Sequence, residues 1–92
     1  MISSLRGTVL FCVDGRLELE VHGVGYAVAV TPQHTAGLHV GDETLVHTAH
    51  IIREDDHSLF GFTTRDELAV FALLRGVTGV GPKSALGAPA PL

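Results

Sequence analysis

The first recognisable element of this chain is a strand in which apolar and charged residues alternate. Residues 16–21 read Arg-Leu-Glu-Leu-Glu-Val, so one face of the strand is apolar and the other carries charge. Residues 5–13, just before it, are mostly apolar and suit a second extended segment. Asp14 and Gly15 lie between the two and tolerate the positive φ angles of a two-residue hairpin turn. The pattern predicts a β-hairpin that is buried on one face.

A third strand and a short helix come after this hairpin. The segment Gly23-Val24-Gly25 predicts the next bend, and residues 26–30 predict the third strand. Thr31 followed by Pro32 is a helix-start signal, because a capping hydroxyl precedes a proline at the first helical position. We therefore expect about two helical turns, ending near residue 38.

Residues 43–52 and 58–62 predict a second hairpin, whose turn is the acidic segment Arg53-Glu54-Asp55-Asp56. The resulting order, β-β-β-α-β-β, matches the OB-fold, a five-stranded barrel with a helix between its third and fourth strands. Gly7 would ease the sharp bend that a small closed barrel requires in its first strand. The predicted fold is mainly β with helices, and the barrel occupies residues 1–63.

A second helix is predicted directly after the barrel. Thr64-Arg65-Asp66-Glu67 is a capping box, so the helix starts there, runs to Arg75 and ends at Gly76. Residues 68–74 are all apolar, which means that this helix needs cover on more than one side. We expect the cover to come from another subunit or another part of the protein. Residues 64–92 are thus predicted to begin a second, incomplete domain.

Composition limits the possible functions. The chain has 92 residues, and its formal net charge of −4 is the wrong sign for wrapping nucleic acid through a diffuse basic face. Any phosphate binding must therefore be local. The longest apolar run is far shorter than a membrane span, and no leader pattern is present, so we expect a cytoplasmic protein without a membrane segment. Cys12 lies in an apolar strand, which favours an inert buried thiol.

One local phosphate site is predicted in the segment Gly79-Val80-Gly81-Pro82-Lys83. The two glycines allow backbone amides to approach a ligand closely, and the proline presets the first turn of a following helix. Free amides, the helix dipole and Lys83 together favour a bound anion such as a nucleic-acid phosphate. The alternative is a plain structural turn.

The acidic turn has two other interpretations. Charged residues at a hairpin tip are usually only solvated, and adjacent carboxylates can hold Mg²⁺ as in nucleases. No further carboxylate cluster in strand positions completes such a metal site. His47 and His50 are three residues apart on one strand and point to opposite faces, so they cannot chelate one zinc ion. No nucleophile is paired with a base, and we expect a non-enzyme without metal or cofactor.

Five motifs together resemble the RuvA family of bacterial Holliday-junction-binding proteins. They occur in the order and at the spacing of that family, and the resemblance covers residues 1 to about 86. The motifs are Met1-Ile2 with Leu5-Arg6-Gly7, Gly23-Val24-Gly25-Tyr26, Arg53-Glu54-Asp55, Leu59-Phe60-Gly61-Phe62 and Gly79-Val80-Gly81-Pro82-Lys83.

The resemblance implies a role in DNA recombination and repair. It implies that Gly79, Val80, Gly81 and Lys83 belong to the first of two helix-hairpin-helix motifs, whose amides grip duplex phosphates. It also implies a homotetramer on a four-way DNA junction, where Glu54 and Asp55 of each subunit gather as a central acidic pin. The partner motor RuvB would then pump DNA by ATP hydrolysis.

The C-terminal segment departs from the family pattern. Residues 87–92 read Gly-Ala-Pro-Ala-Pro-Leu, which cannot extend a helix. The second hairpin motif and the third domain, which binds RuvB in this family, are absent from the sequence, so we expect a truncated form. The alternative function is an OB-fold subunit-assembly module with negligible DNA affinity by itself.

Overall fold

Five strands form a closed barrel in the computed structural model, which describes residues 1–75 and Leu86. The strands are β1 (Ser4–Val13), β2 (Arg16–Val21), β3 (Val24–Ala29), β4 (Glu43–Ile52) and β5 (His57–Phe62), with the helices α1 (Pro32–Ala36) and α2 (Arg65–Arg75). Around the barrel the order is β1-β2-β3-β5-β4, and β1 closes it by pairing with β4. All pairs are antiparallel except β3 with β5, which are parallel and pair only at Ala29 and Phe60. The predicted OB-fold barrel is confirmed.

Both turns of the first three strands are two-residue turns with positive φ. Asp14 and Gly15 have φ angles of 50° and 86°, as the sequence predicted. The second turn has the same two angles at His22 and Gly23. The predicted bend at residues 23–25 was therefore placed one residue too late, because Gly25 already pairs with β2 inside strand β3.

Helix α1 packs against strands β1 and β2. The Thr31 side chain caps it by accepting a hydrogen bond from the His34 amide at 3.2 Å, as predicted. Buried Thr35 connects α1 to the first hairpin, because its hydroxyl oxygen accepts from the Gly15 amide at 3.0 Å and donates to the Pro32 carbonyl at 2.9 Å. The first turn and the helix therefore hold each other in place.

Strand β1 changes partner along its length. Residues Ser4 to Thr8 pair with β4, and residues Thr8 to Val13 pair with β2, with a register shift between Val9 and Phe11. Gly7 lies one residue before Thr8, which pairs with both strands, and the bend expected at Gly7 stays a prediction. Half-buried Cys12 lies further along the strand, and its thiol donates to the Leu38 carbonyl at 3.5 Å.

Strand β5 contacts a different apolar cluster on each face. Gly61 faces the barrel interior against Val28, Val30 and Val46. The neighbouring Phe60 and Phe62 contact Phe71 of α2 instead, with ring centroids 5.4 Å and 5.0 Å apart. Helix α2 is consequently fixed to the outside of the β4–β5 hairpin.

The capping box at the start of α2 forms as predicted. The Glu67 amide donates to the Thr64 hydroxyl at 3.2 Å, and the Glu67 carboxylate accepts from the hydroxyls of Thr63 and Thr64. These contacts set where the helix leaves the barrel.

Only one face of α2 is covered within the part of the chain that the structure describes. Phe71 is 1% exposed, whereas Leu73 on the other side is 75% exposed. The apolar run thus keeps an open face, and its cover by another subunit or segment stays a prediction. No described helix has the length and apolar character needed to cross a membrane.

Candidate nucleic-acid interface

The acidic turn is the tip of the β4–β5 hairpin. The strand ladder runs to the pair Ile52 and His57, and beyond it the Arg53 amide donates to the Asp56 carbonyl at 2.8 Å. These bonds hold the four-residue tip on a regular two-stranded support. Glu54 and Asp55 therefore project from a defined position at one end of the barrel.

The carboxylates of the tip differ in their local contacts. Asp56 accepts a hydrogen bond from the Ser58 hydroxyl at 3.0 Å, which ties it back to β5. Glu54 and Asp55 are both exposed at the end of the turn. Two negative charges thus face solvent together, an arrangement that raises the energy of any phosphate brought close.

Two histidines lie in contact at the base of the tip. The His50 Nε2 and His57 Nδ1 atoms are 3.2 Å apart, and the ring centroids are 5.4 Å apart. Sequence reasoning compared His50 only with His47, excluded that pair as a zinc site and missed the contact with His57. The contact follows from the observed hairpin register, because His50 pairs with Leu59 and His57 with Ile52, which makes the histidines diagonal neighbours.

A polar cluster joins α1 to the start of α2. His34 of α1 and Glu67 of α2 line one small pocket with Thr31, Gln33 and Thr63. Partial burial lowers the pKa of His34 below its ordinary value of 6.5, and the Glu67 carboxylate partly opposes this shift. His34 is thus held towards its neutral form in the folded chain.

We expect His34 to make the folded chain less stable in mild acid. Because the pKa of His34 is lowered in the folded chain, the unfolded chain binds the proton more readily. The contribution of His34 to the free energy of unfolding is therefore fully present above about pH 6.5 and is lost as the pH falls below this value. Thermal unfolding followed by circular dichroism between about pH 7.5 and about pH 5.5 measures this slope. His34→Gln should flatten the slope, while His39→Gln, at a side chain that is 84% exposed, should keep it. An unchanged slope in His34→Gln would contradict the assignment.

The predicted phosphate site lies outside the described residues. Gly79, Val80, Gly81 and Lys83 all fall in the segment 76–85, so the structure does not test this prediction. The described part contributes exposed cations at Arg6, Arg16, Arg53, Arg65 and Arg75.

Comparisons with known proteins agree with the motifs. The family model for the RuvA N terminal domain matches residues 1–61. Over 86 residues the chain is 62% identical to the Holliday junction branch migration complex subunit RuvA of Clavibacter michiganensis, covering 94% of this chain and 40% of the relative. The RuvA subunit of Leifsonia xyli is 58% identical over 86 residues, a match that covers 94% of this chain and 42% of the relative. The RuvA subunit of Corynebacterium aurimucosum is 46% identical over 88 residues, a match that covers 96% of this chain and 44% of the relative.

The chain spans about two fifths of the length of the curated relatives it matches. The matched region contains the barrel up to Gly61 in its fifth strand, including the acidic tip and the paired histidines. The resemblance drawn from the sequence motifs is confirmed. The chain belongs to the RuvA family, and its barrel is the N-terminal domain of that family.

Proposed function

We propose that this chain is a DNA-binding, non-catalytic subunit that holds a four-way DNA junction open, with Glu54 and Asp55 as an acidic pin at the crossover. The observation that carries the proposal is a pair of exposed carboxylates at the tip of the β4–β5 hairpin. The pairing of the two strands continues up to Ile52 and His57, directly below this tip. The relatives named as Holliday junction branch migration complex subunits support the choice of a junction as the ligand.

Electrostatic repulsion gives the tip its role. A carboxylate and a phosphate about 7 Å apart repel by about 0.6 kcal/mol in water, and by more at a lower effective dielectric. In a homotetramer, two carboxylates from each subunit would meet at one point and disfavour strands that cross there. The segment Gly79 to Lys83 would hold the arms through backbone amides, and a partner ATPase of the RuvB kind would supply the motion.

Neutralising the tip is expected to reduce the preference for a junction over linear duplex. Glu54→Gln with Asp55→Asn removes two charges that repel phosphate. Their combined repulsion is roughly 1 kcal/mol, which corresponds to about a fivefold change in the ratio of junction affinity to linear-duplex affinity. Gel shifts of four-way and linear DNA at several salt concentrations measure this ratio, since salt also reports on phosphate contacts.

A matched control separates position from net charge. Asp14→Asn with Glu43→Gln removes one aspartate and one glutamate charge from exposed positions away from the tip. This control should keep the parental preference. The pin assignment fails if the two double variants behave alike, or if the parental chain binds junction and linear DNA equally.

The second candidate is a subunit-assembly module with negligible DNA affinity. The exposed Leu73 on α2 and the net charge of −4 favour it. Sedimentation velocity with and without junction DNA distinguishes the two functions. Self-association that shows no DNA-dependent shift would favour assembly over junction binding.

A further inference from the structure

A cleft of about 340 Å³ opens in the barrel wall beside the acidic tip. It forms because β3 and β5 pair only at Ala29 and Phe60, so the two strands are not joined by further pairs towards the His57 end of β5. We call this the β3–β5 cleft, and its lining includes Arg16, Glu18, Ala27, His57 and Ser58. Its volume lies within the range of roughly 300–1,000 Å³ that small ligands occupy in proteins.

The lining combines an apolar base with a mixed set of polar groups. Leu17, Val28 and Phe60 of the buried core contribute apolar surface. Arg16 supplies donors and the Glu18 carboxylate supplies an acceptor. The Ser58 hydroxyl donates its proton to Asp56, so its oxygen is a second acceptor. A carboxylate at the rim disfavours a bare phosphate, whereas the edge of a nucleobase presents both donors and acceptors.

A chain of hydrogen bonds fixes the donor that His57 offers to this cleft. The Ile2 amide donates to His50 Nδ1 at 3.4 Å, so neutral His50 carries its proton on Nε2. That Nε2–H donates to His57 Nδ1 at 3.2 Å, which places the proton of neutral His57 on its own Nε2. His57 is exposed and lines the cleft, so its Nε2–H is a donor of defined tautomer at the rim.

The cleft adjoins the proposed crossover directly. His57 follows Asp56 in the chain, and Asp55 is two residues away, which at about 3.3 Å per residue is within the span of a nucleotide or two. Strands parted at the tip would expose unpaired bases beside it. We propose that the β3–β5 cleft binds an unpaired base of a DNA strand separated at the acidic tip. This inference rests on the proposed function and adds a site for the separated strand.

Nuclear magnetic resonance of the isotopically labelled chain tests the site without a junction. A short oligothymidylate should shift the amide resonances of Ala27, Ser58 and Leu59 in a saturable way, whereas an abasic strand of the same length should not. Matched shifts with the abasic strand would indicate a phosphate site and overturn the proposal. Shifts confined to residues outside the cleft, or no shifts, would also overturn it.

Two variants and one control define the contribution of the cleft. His57→Phe removes the Nε2–H but keeps an aromatic ring, and should weaken oligothymidylate binding about threefold to tenfold, the usual range for one hydrogen bond. Ala27→Leu fills an exposed lining position and should weaken binding without touching His57. His39→Phe, at a histidine outside the cleft lining, should leave binding unchanged. Equal binding by all three variants would refute the site.

Failure of this inference is distinguishable from failure of the proposed function. The oligothymidylate titration leaves Glu54 and Asp55 intact and needs no four-way DNA, so a negative result removes only the cleft. A failed junction experiment with cleft binding intact would instead remove the pin. Saturable binding of an extended peptide between β3 and β5, with no response to oligothymidylate, would identify the cleft as a protein-docking edge and overturn base binding.

Discussion

Replacing Phe71 by alanine is expected to lower the free energy of unfolding by about 3–5 kcal/mol, the usual cost of removing a buried phenylalanine ring. Phe71 is 1% exposed and contacts both Phe60 and Phe62. For a domain of this size about 1 kcal/mol corresponds to roughly 4–8 °C, so the midpoint should fall by at least about 12 °C. Differential scanning calorimetry measures both the midpoint and the unfolding enthalpy.

Leu73→Ala is the matched control on the same helix. Leu73 belongs to the same apolar run but is 75% exposed, so its truncation should change stability by less than about 0.5 kcal/mol. Similar destabilisation by the two variants would mean that α2 has no unique buried face. A large effect at Leu73 alone would indicate that its face is covered in solution, as the subunit-assembly alternative requires.

The docking of α2 fixes the position of Arg75, the last residue of this helix, relative to the barrel. Phe71 anchors the helix to the outer face of β5, while the capping box fixes its start at Thr64. The predicted phosphate segment begins four residues after the last described residue of α2, at Gly79. A change at Phe71 would therefore disturb how α2 is held on the barrel, in addition to stability.

Local patterns predicted most of the barrel. The strict alternation in β2 and the Asp14-Gly15 turn each specify one structure, because the side-chain period and the positive φ angles leave few alternatives. The second turn was misplaced because three residues in succession, from Gly23 to Gly25, invite a bend. The β2–β3 register decides which two residues form the turn. Val21 pairs with Val24, which leaves His22 and Gly23 as the loop.

The tip of the candidate site was predictable, whereas the contacts around it were not. Glu54 and Asp55 are identified by their position between two strands. The pairing of His50 with His57 depends on a diagonal contact across those strands, which one-dimensional spacing does not specify. The β3–β5 cleft depends on how far two strands distant in sequence stay paired, and that is set by barrel closure rather than by any local motif.

The second large effect is expected at Gly7, next to Thr8, the residue at which β1 passes from β4 to β2. A Cβ atom added there would lie 2.3 Å from the Glu20 carbonyl oxygen and 2.8 Å from a Val21 methyl group. Since the first of these is a backbone atom of the neighbouring strand, no side-chain rotation relieves the clash. Gly7→Ala should therefore force the strands apart and destabilise the chain by about 3 kcal/mol or more, the upper part of the range for overpacking.

Gly25→Ala tests whether this effect is steric or general to strand glycines. At Gly25 the nearest atom to an added Cβ is a Leu10 methyl group at 4.0 Å, an ordinary contact. This variant should match or slightly exceed the parental stability, by up to about 1 kcal/mol, because alanine restricts the unfolded chain. Urea unfolding at equilibrium compares the two variants directly. Equal stability of Gly7→Ala and Gly25→Ala would show that β1 and β2 can separate at Gly7 without loss, and that the barrel does not need the close approach there.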